Sequence, residues 1–446
     1  MLEALRNAFR LPDLRRKMLY TGLILIIYQF AAHVTVPGVD RSALDELFNS
    51  DQSGFLNVLN LLSGGAVSNF SVIANGVYPY ITASIILQLL VPIIPKLEAI
   101  AKEPGGREKI NNQYTYYLAI PMAALQAIGQ INIFQSQINQ MSALPAGTEL
   151  IPGFGFGSGS DLLTTISVII TMTAGTMFAI WMGQLITEQG IGNGISIIIF
   201  AGIVAKVPSN MFTLVQTNLV FNLVSFVLLT VLTVVVIVVI QEGTRRIPVQ
   251  YGKRVRGRKM YGGGTTHIPL KVNTAGMIPL IFAQSIVTFP AIVAGFFGSG
   301  RLATQIQNTF GNQQGFIYWF VYFLLVVGFT YFYTGVMVQN QNLGETLQKN
   351  GGFIPGIRPG RRTQEYINRI VNRITLVGAL FLGIVAVLPG LMQVVRRVVL
   401  GPAAGGMNPA LVISSAGLII VVGVVIDTMR QLEAQLVMRN YDGFMR

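Results

Sequence analysis

Residues 52–95 read QSGFLNVLNLLSGGAVSNFSVIANGVYPYITASIILQLLVPIIP, 44 positions without a single Asp, Glu, Lys, Arg or His. A tract so empty of charge belongs in hydrocarbon or in a buried core. It is too long for one membrane-crossing helix, which needs about 20 apolar residues. Its second half, residues 77–95, has the length and apolarity of one span. The first half, from Phe55 to Asn69, mixes Asn, Ser and Gly with Leu and Val and is too polar to face lipid. Irregular backbone at membrane depth survives only inside protein or beside a water-filled cavity. The sequence therefore predicts a half-helix that re-enters the membrane and stops at Gly64-Gly65; the competing reading is a loop lying on the membrane surface.

The rest of the chain repeats the theme. Of 446 residues, 52% are hydrophobic and only 11% charged, against about a quarter charged in a soluble domain. Long uncharged tracts alternate with short basic ones, and ten spans are expected: 18–36, 77–95, 114–134, 162–187, 194–205, 211–240, 275–297, 316–338, 374–392 and 410–426. The fifth is too short to cross a bilayer unaided. Residues 1–17 place Leu2, Leu5 and Phe9 on one helical face and Arg6, Arg10, Arg15, Arg16 and Lys17 elsewhere, the pattern of an interfacial amphipathic helix. The apolar stretch that follows is too long for a signal peptide and lacks a small-residue cleavage site. With the N-terminus inside, 26 of the 31 Lys and Arg fall in segments 1–17, 96–113, 241–274, 339–373 and 427–446. Positive residues gather on the cytoplasmic side, so both termini are expected there. Ten spans divide into halves 18–207 and 208–427, followed by a tail 428–446. Five spans per half make a duplicated unit inverted, as in transport proteins. The expected fold is an all-α membrane protein.

Several chemistries are excluded or disfavoured. There is no cysteine, and the two histidines are His33 and His267, which removes disulfides, thiolates and Cys/His metal clusters. Residues 153–159, GFGFGSG, lie in an expected external loop without a strand before them, so they do not make a nucleotide site. No ionisable residue is expected near the centre of a span, which counts against an ion-coupled carrier and an intramembrane hydrolase. An enzyme is the weakest reading, and no cofactor is implied. The net charge of +13 suits anionic partners such as lipid headgroups or nucleic acid, and equally suits loops that only fix orientation. In 241–274, residues 247–251 (IPVQY) and 266–270 (THIPL) alternate like strands, which predicts a projecting hairpin.

Stretches running in order through nearly the whole chain carry a resemblance: VPGVD (36–40), LSGGA (62–66), PYITASIILQLL (79–90), GIGNGISIIIF (190–200), PLKVN (269–273) and PGIRPG (355–360). Together they resemble the SecY/Sec61 family, central subunits of protein-conducting translocons, and specifically its bacterial branch. The resemblance implies two five-helix halves around a pore in the plasma membrane. It implies a plug over about 57–68, with Asn57, Leu62, Ser63, Gly64, Gly65 and Ser68, and a pore ring of Val77, Ile81, Ile195, Ile199, Ile281 and Ile420. A lateral gate between the second and seventh spans would use Thr82, Gln88, Gln284 and Phe289. Docking of a ribosome and of a SecA motor ATPase would use Arg245, Arg246, Arg254, Arg256, Arg258, Lys259, Arg358 and Arg361. The resemblance further implies SecE-like and SecG-like small membrane subunits, signal-bearing polypeptide substrates and a surrounding lipid bilayer. The chain departs from many relatives at Gln29, where they carry Arg, and at Gln284, where a smaller residue is common. An inverted-repeat secondary transporter is the alternative, and a membrane scaffold a third reading.

The charge split generates the first test. Because the chain has no cysteine, single cysteines can be placed without background. In intact cells an impermeant thiol reagent labels Ser142→Cys and Asn308→Cys and spares Thr265→Cys and Gln364→Cys; the reverse pattern overturns the orientation.

Overall fold

The computed structural model describes residues 11–44, 65–140 (save 92 and 104), 149–216 (save 156–158), 220–296 (save 252–253, 257–258, 262–263 and 277), 301–310, 315–400 (save 342) and 415–444. Every tract expected to span a membrane carries a helix. In chain order these are α1 (Pro12–Ala31), α2 (Tyr78–Leu90) with the short α3 (Pro95–Lys102), α4 (Thr115–Gln140), α5 (Gly159–Gln189), α6 (Gly194–Gln216) and α7 (Val220–Glu242). Then follow α8 (Ile278–Phe296), α9 (Arg301–Phe310), α10 (Phe316–Gln341), α11 (Leu343–Lys349), α12 (Arg361–Leu400) and α13 (Ser415–Phe444). Among the described residues, Asn112–Gln135, Asp161–Gln189, Phe316–Gly335 and Arg361–Leu388 are long and apolar enough to cross a membrane. The pair Tyr78–Leu90 and Pro95–Ala101, bent by 102°, adds a fifth if it counts as one span.

The structure corrects several expected boundaries. The fifth span is not a short helix over 194–205: α6 has 23 residues and reaches Gln216. Lys206, Pro208, Ser209 and Asn210 read as a helix end, but a proline inside a membrane helix is tolerated where neighbours satisfy the freed backbone. The division at 207/208 therefore falls inside α6. Lys206 lies within α6, just past the apolar stretch Gly194–Ala205. At 40 and 30 residues, α12 and α13 far outrun 374–392 and 410–426, and α13 takes up most of the expected tail. The amphipathic helix expected over 1–17 is described only from residue 11, and α1 starts at Pro12, a residue that suits a first helical turn.

The largest apolar cluster draws on α1, α2, α4, α5, α6, α7, α8, α10, α12 and α13. Outward-facing Leu19, Leu23, Ile26, Ile27 and Phe30 leave one side of α1 apolar and open, as a lipid-facing surface requires. Between α1 and α2, residues 65–77 form successive turns. A second cluster clamps them at the far end of α1, where Val67, Phe70 and Ala74 pack with Ile131 and Phe134 of α4 and Met172 of α5.

At the other end lies a small sheet with order β4-β1-β5, built from β1 (Thr244–Tyr251), β4 (Thr265–Lys271) and β5 (Gly352–Phe353). The expected hairpin is present, with Ile247 opposite Ile268 and Val249 opposite Thr266. A smaller antiparallel pair, β2 (Arg254–Arg256) and β3 (Lys259–Tyr261), lies within its loop.

The turn from α5 into α6 shows how residue choice fixes helix placement. Gly192 takes φ +82°, which only glycine adopts freely. The Thr187 hydroxyl accepts from the Gly194 N–H at 2.9 Å, and Asn193 Oδ1 caps α6 by accepting from the Ser196 N–H at 3.1 Å. A Cβ on Gly194 would stand 1.8 Å from the Gly183 carbonyl oxygen, so α5 and α6 meet backbone to backbone. Gly194→Ala is expected to cost about 1–3 kcal/mol through overpacking. Gly328→Ala, with nothing within 4 Å of its Cβ position, is the control. Thermal unfolding of the purified protein in mild detergent checks this: the first midpoint falls and the second does not.

Candidate pore ring, gate and basic face

The six residues expected to form a ring come from four helices and all belong to or pack against the main apolar cluster. Val77 immediately precedes α2 and Ile81 is one turn into it. Ile195 and Ile199 lie one turn apart on α6, Ile281 on α8 and Ile420 on α13. Val77, Ile199 and Ile420 are buried in the main apolar cluster, and Ile81, Ile195 and Ile281 pack against it half-buried. The Gly192–Gly194 turn sets Ile195, because it fixes where α6 begins. Every ring side chain is a branched aliphatic, so the assembly offers no hydrogen bond to water or to an ion.

Of the expected plug residues, Asn57, Leu62, Ser63 and Gly64 lie outside the described residues. Gly65 is buried, and the Ser68 hydroxyl donates to its carbonyl at 2.9 Å. The segment that follows is tied down firmly. The Val36 N–H donates to Phe70 O at 3.0 Å, and the Val72 N–H to Val34 O at 2.9 Å. Asn69 Nδ2 donates to Ala32 O, and Asn75 Nδ2 to Ala123 O, each at 3.3 Å. Phe70 holds φ +41°, a left-handed backbone that costs a non-glycine residue about 1–2 kcal/mol, with its ring edge-on to Phe134 at 5.3 Å. Gly175 of α5 lets the Val72 carbonyl approach to where a Cβ would stand 2.0 Å away. The motif VPGVD joins this anchor: the Asp40 N–H donates to Leu150 O at 3.0 Å. Hydrogen bonds from the Ser42 hydroxyl and N–H hold the Asp40 carboxyl below the usual carboxylate range.

Helices α2 and α8 touch through an apolar seam. Ile81, Ile85 and Leu89, one turn apart on α2, pack with Ile278 and Phe282 of α8 and with Phe329 and Tyr333 of α10. Phe282 meets Phe329 and Tyr333 edge-on, at 6.2 and 6.0 Å. Of the residues expected at the gate, Thr82 donates to its own helix at Tyr78 O (3.0 Å), and Gln88 Nε2 donates to Ser84 Oγ (3.0 Å). Gln284 is buried, and its Nε2 donates to the Tyr318 hydroxyl of α10 at 3.3 Å, which supplies a partner that this departure from the relatives needs. Phe289 is 53% exposed and faces outward. Sequence reasoning missed Ile85, Leu89, Phe282 and Tyr333. The i, i+4 spacing of Ile81, Ile85 and Leu89 was the available signal, but α2 is apolar all round and the stripe does not stand out.

The two basic loops form one unit. β5, from the second loop, pairs with β1 of the first through Gln250 opposite Phe353 and Tyr251 opposite Gly352. Ile247, Val249 and Leu270 pack with Leu347, Ile354, Ile367, Ile370 and Val371 behind the sheet. Arg245 and Arg246 on β1 are exposed. Arg254, Arg256 and Lys259 lie on β2 and β3 with their side chains outside the description, and Arg258 lies outside the described residues. Arg358 is exposed on a turn bounded by Gly356 (φ +80°) and Gly360 (φ +102°), and its carbonyl accepts from the Thr363 hydroxyl at 2.9 Å. Arg361 instead spends its guanidinium on Glu365, one turn along α12, at 3.3 Å.

Comparison with known proteins places this geometry. The SecY family model matches residues 71–429. Relatives covering all of both chains include the protein translocase subunit SecY of Streptomyces scabiei, 40% identical, and that of Halalkalibacterium halodurans, 42% identical. Among solved structures, a protein-conducting channel covers 95% of this chain and 93% of its own, at TM-score 0.61 and 17% identity. Sec61 in the canine ribosome-channel complex from the endoplasmic reticulum covers 95% and 93%, at TM-score 0.58 and 16% identity. At such identities these two likenesses are of fold.

Proposed function

The chain belongs to the SecY family, and from that premise we propose that it is the protein-conducting subunit of a bacterial plasma-membrane translocase. Unfolded polypeptides cross through the ring of Val77, Ile81, Ile195, Ile199, Ile281 and Ile420, and apolar segments leave sideways between α2 and α8. The observation that supports this reading is that those six aliphatic side chains, from four helices, all belong to or pack against the main apolar cluster. A narrow ring without hydrogen-bond partners dewets and stops ions, yet its side chains can part around a moving peptide. The seam between α2 and α8 is apolar, and Thr82 and Gln88 are satisfied within their own helix. Opening there exposes apolar surface, a cost of about 25 cal/mol per Å², which an entering apolar segment covers again. Lipid then accepts leucine-like residues and rejects charged ones.

The energy would come from outside the chain, from a ribosome or a SecA-type motor docking on the basic sheet, with SecE-like and SecG-like subunits alongside. Nothing in this scheme asks the chain for catalysis. Both termini and the sheet would face the cytoplasm, in line with the charge split.

Two measurements test the scheme. Ile420→Asn and Ile81→Asn each place an amide in the ring, so ion leak through the reconstituted channel in planar bilayers rises well above wild type and signal selectivity relaxes. Unchanged conductance in both variants removes the ring assignment. At the basic face, the turn pre-organises the Arg358 guanidinium for bidentate contact with carboxylate or phosphate. Arg358→Glu is therefore expected to insert normally and to lose most motor-driven translocation, with Arg358→Lys restoring part of it. Protease-protected preprotein in vesicles at equal channel content is the readout, and wild-type transport by Arg358→Glu reduces this arginine to an orientation charge.

A further inference from the structure

Helix α9 (Arg301–Phe310) was not anticipated as an element, and nothing in the channel scheme uses it. α8 has 19 residues, roughly 28 Å at about 1.5 Å per residue, close to the ~30 Å hydrocarbon thickness. The basic sheet ends with β4 at Lys271, just before α8, so α9 stands at the opposite end of α8. Residues 297–300 join it to α8 and 311–315 join it to α10. These short links confine it to the membrane surface. In the sequence RLATQIQNTF, helical spacing puts Leu302, Ile306 and Phe310 on one face with Thr309 beside them, while Gln305 is exposed off that face.

That apolar face is only partly accounted for by protein. Phe310 packs against the main cluster, but Leu302 is 76% exposed and Ile306 38%. The open part continues in sequence and chemistry into the start of α10, where Phe316, Ile317, Phe320 and Leu324 are also exposed. In a chain that crosses a bilayer, such a band on a spanning helix meets lipid. A short helix with a sharp apolar face and too many amides to insert lies in the interface plane. We propose that α9 is an interfacial helix, seated by Leu302 and Ile306 in the bilayer leaflet opposite the basic sheet, with Phe310 fastening it to the helices. It packs against α8. The proposal rests on the membrane-spanning reading alone and is indifferent to what the channel carries.

The cysteine-free chain allows a direct test. Leu302→Cys and Gln305→Cys are labelled with an environment-sensitive fluorophore in the purified, intact translocase, reconstituted into vesicles of phosphatidylethanolamine and phosphatidylglycerol. The expected result is that a lipid carrying a shallow nitroxide quenches the label at 302 several-fold more than the label at 305. Aqueous iodide should give the reverse order. Equal iodide quenching at both positions places the face in water and overturns the proposal. Protection of 302 from both quenchers overturns it in favour of a protein partner. The readout is position, not transport, so failure of the channel reading would leave this result interpretable.

Discussion

A peptide group held away from water must find its hydrogen bond within the protein, and most of this architecture follows from that demand. Helices meet it automatically. The turns of residues 65–77 do not, and there the bonds can be traced one by one. The Phe70 N–H goes to Val67 O, Ser71 to Ala66, Ala74 to Ser71, Gly76 to Ile73 and Tyr78 to Asn75. The Phe70 carbonyl and the Val72 N–H pair with the segment after α1, through Val36 and Val34. This accounting explains why so polar a segment persists beside apolar helices. It also explains why its close neighbours include a glycine at 175, since a larger residue would push Val72 away.

The same demand determines what could be read from sequence. Long uncharged tracts must become helices, so their existence was legible from hydropathy, as were the alternating strands that pair Ile247 with Ile268. Boundaries were less legible. Lys206 and Pro208 look like the end of a helix, but α6 runs on to Gln216, because a proline in a membrane helix is tolerated where neighbours satisfy the freed backbone. The overlong α12 was hidden for a related reason. Its first turns are polar on one side and bury Ile367, Ile370 and Val371 against the sheet on the other, and a hydropathy window averages the two.

Site residues divide along a similar line. The ring expectation came from a whole-chain resemblance, since aliphatic side chains carry no chemical signature, and its six residues lie in or against the main apolar cluster with many others. The gate residues Thr82, Gln88, Gln284 and Phe289 came from the same resemblance. Thr82 and Gln88 bond within α2, and the seam itself is made by Ile85, Leu89 and Phe282. The pairing of β5 with β1 was beyond sequence reading altogether. A two-residue strand has no periodicity, and its partner lies a hundred residues earlier.

That pairing decides how the basic face is held to the membrane helices. Glu242, at the end of α7 and two residues before β1, receives the Arg430 guanidinium of α13 at 2.8 Å. Arg430 is ten residues beyond Ile420 on the same helix, about 15 Å along its axis, so one ion pair stands between the hairpin base and the ring. Such a half-exposed pair contributes on the order of 0–1 kcal/mol. Behind the sheet, by contrast, the eight side chains of the buried cluster come from both loops and from α12, each contributing about 1.5–3 kcal/mol when fully buried. Apolar backing therefore outweighs the ion pair in fixing the sheet on α12, and the Glu242–Arg430 contact sets direction more than strength.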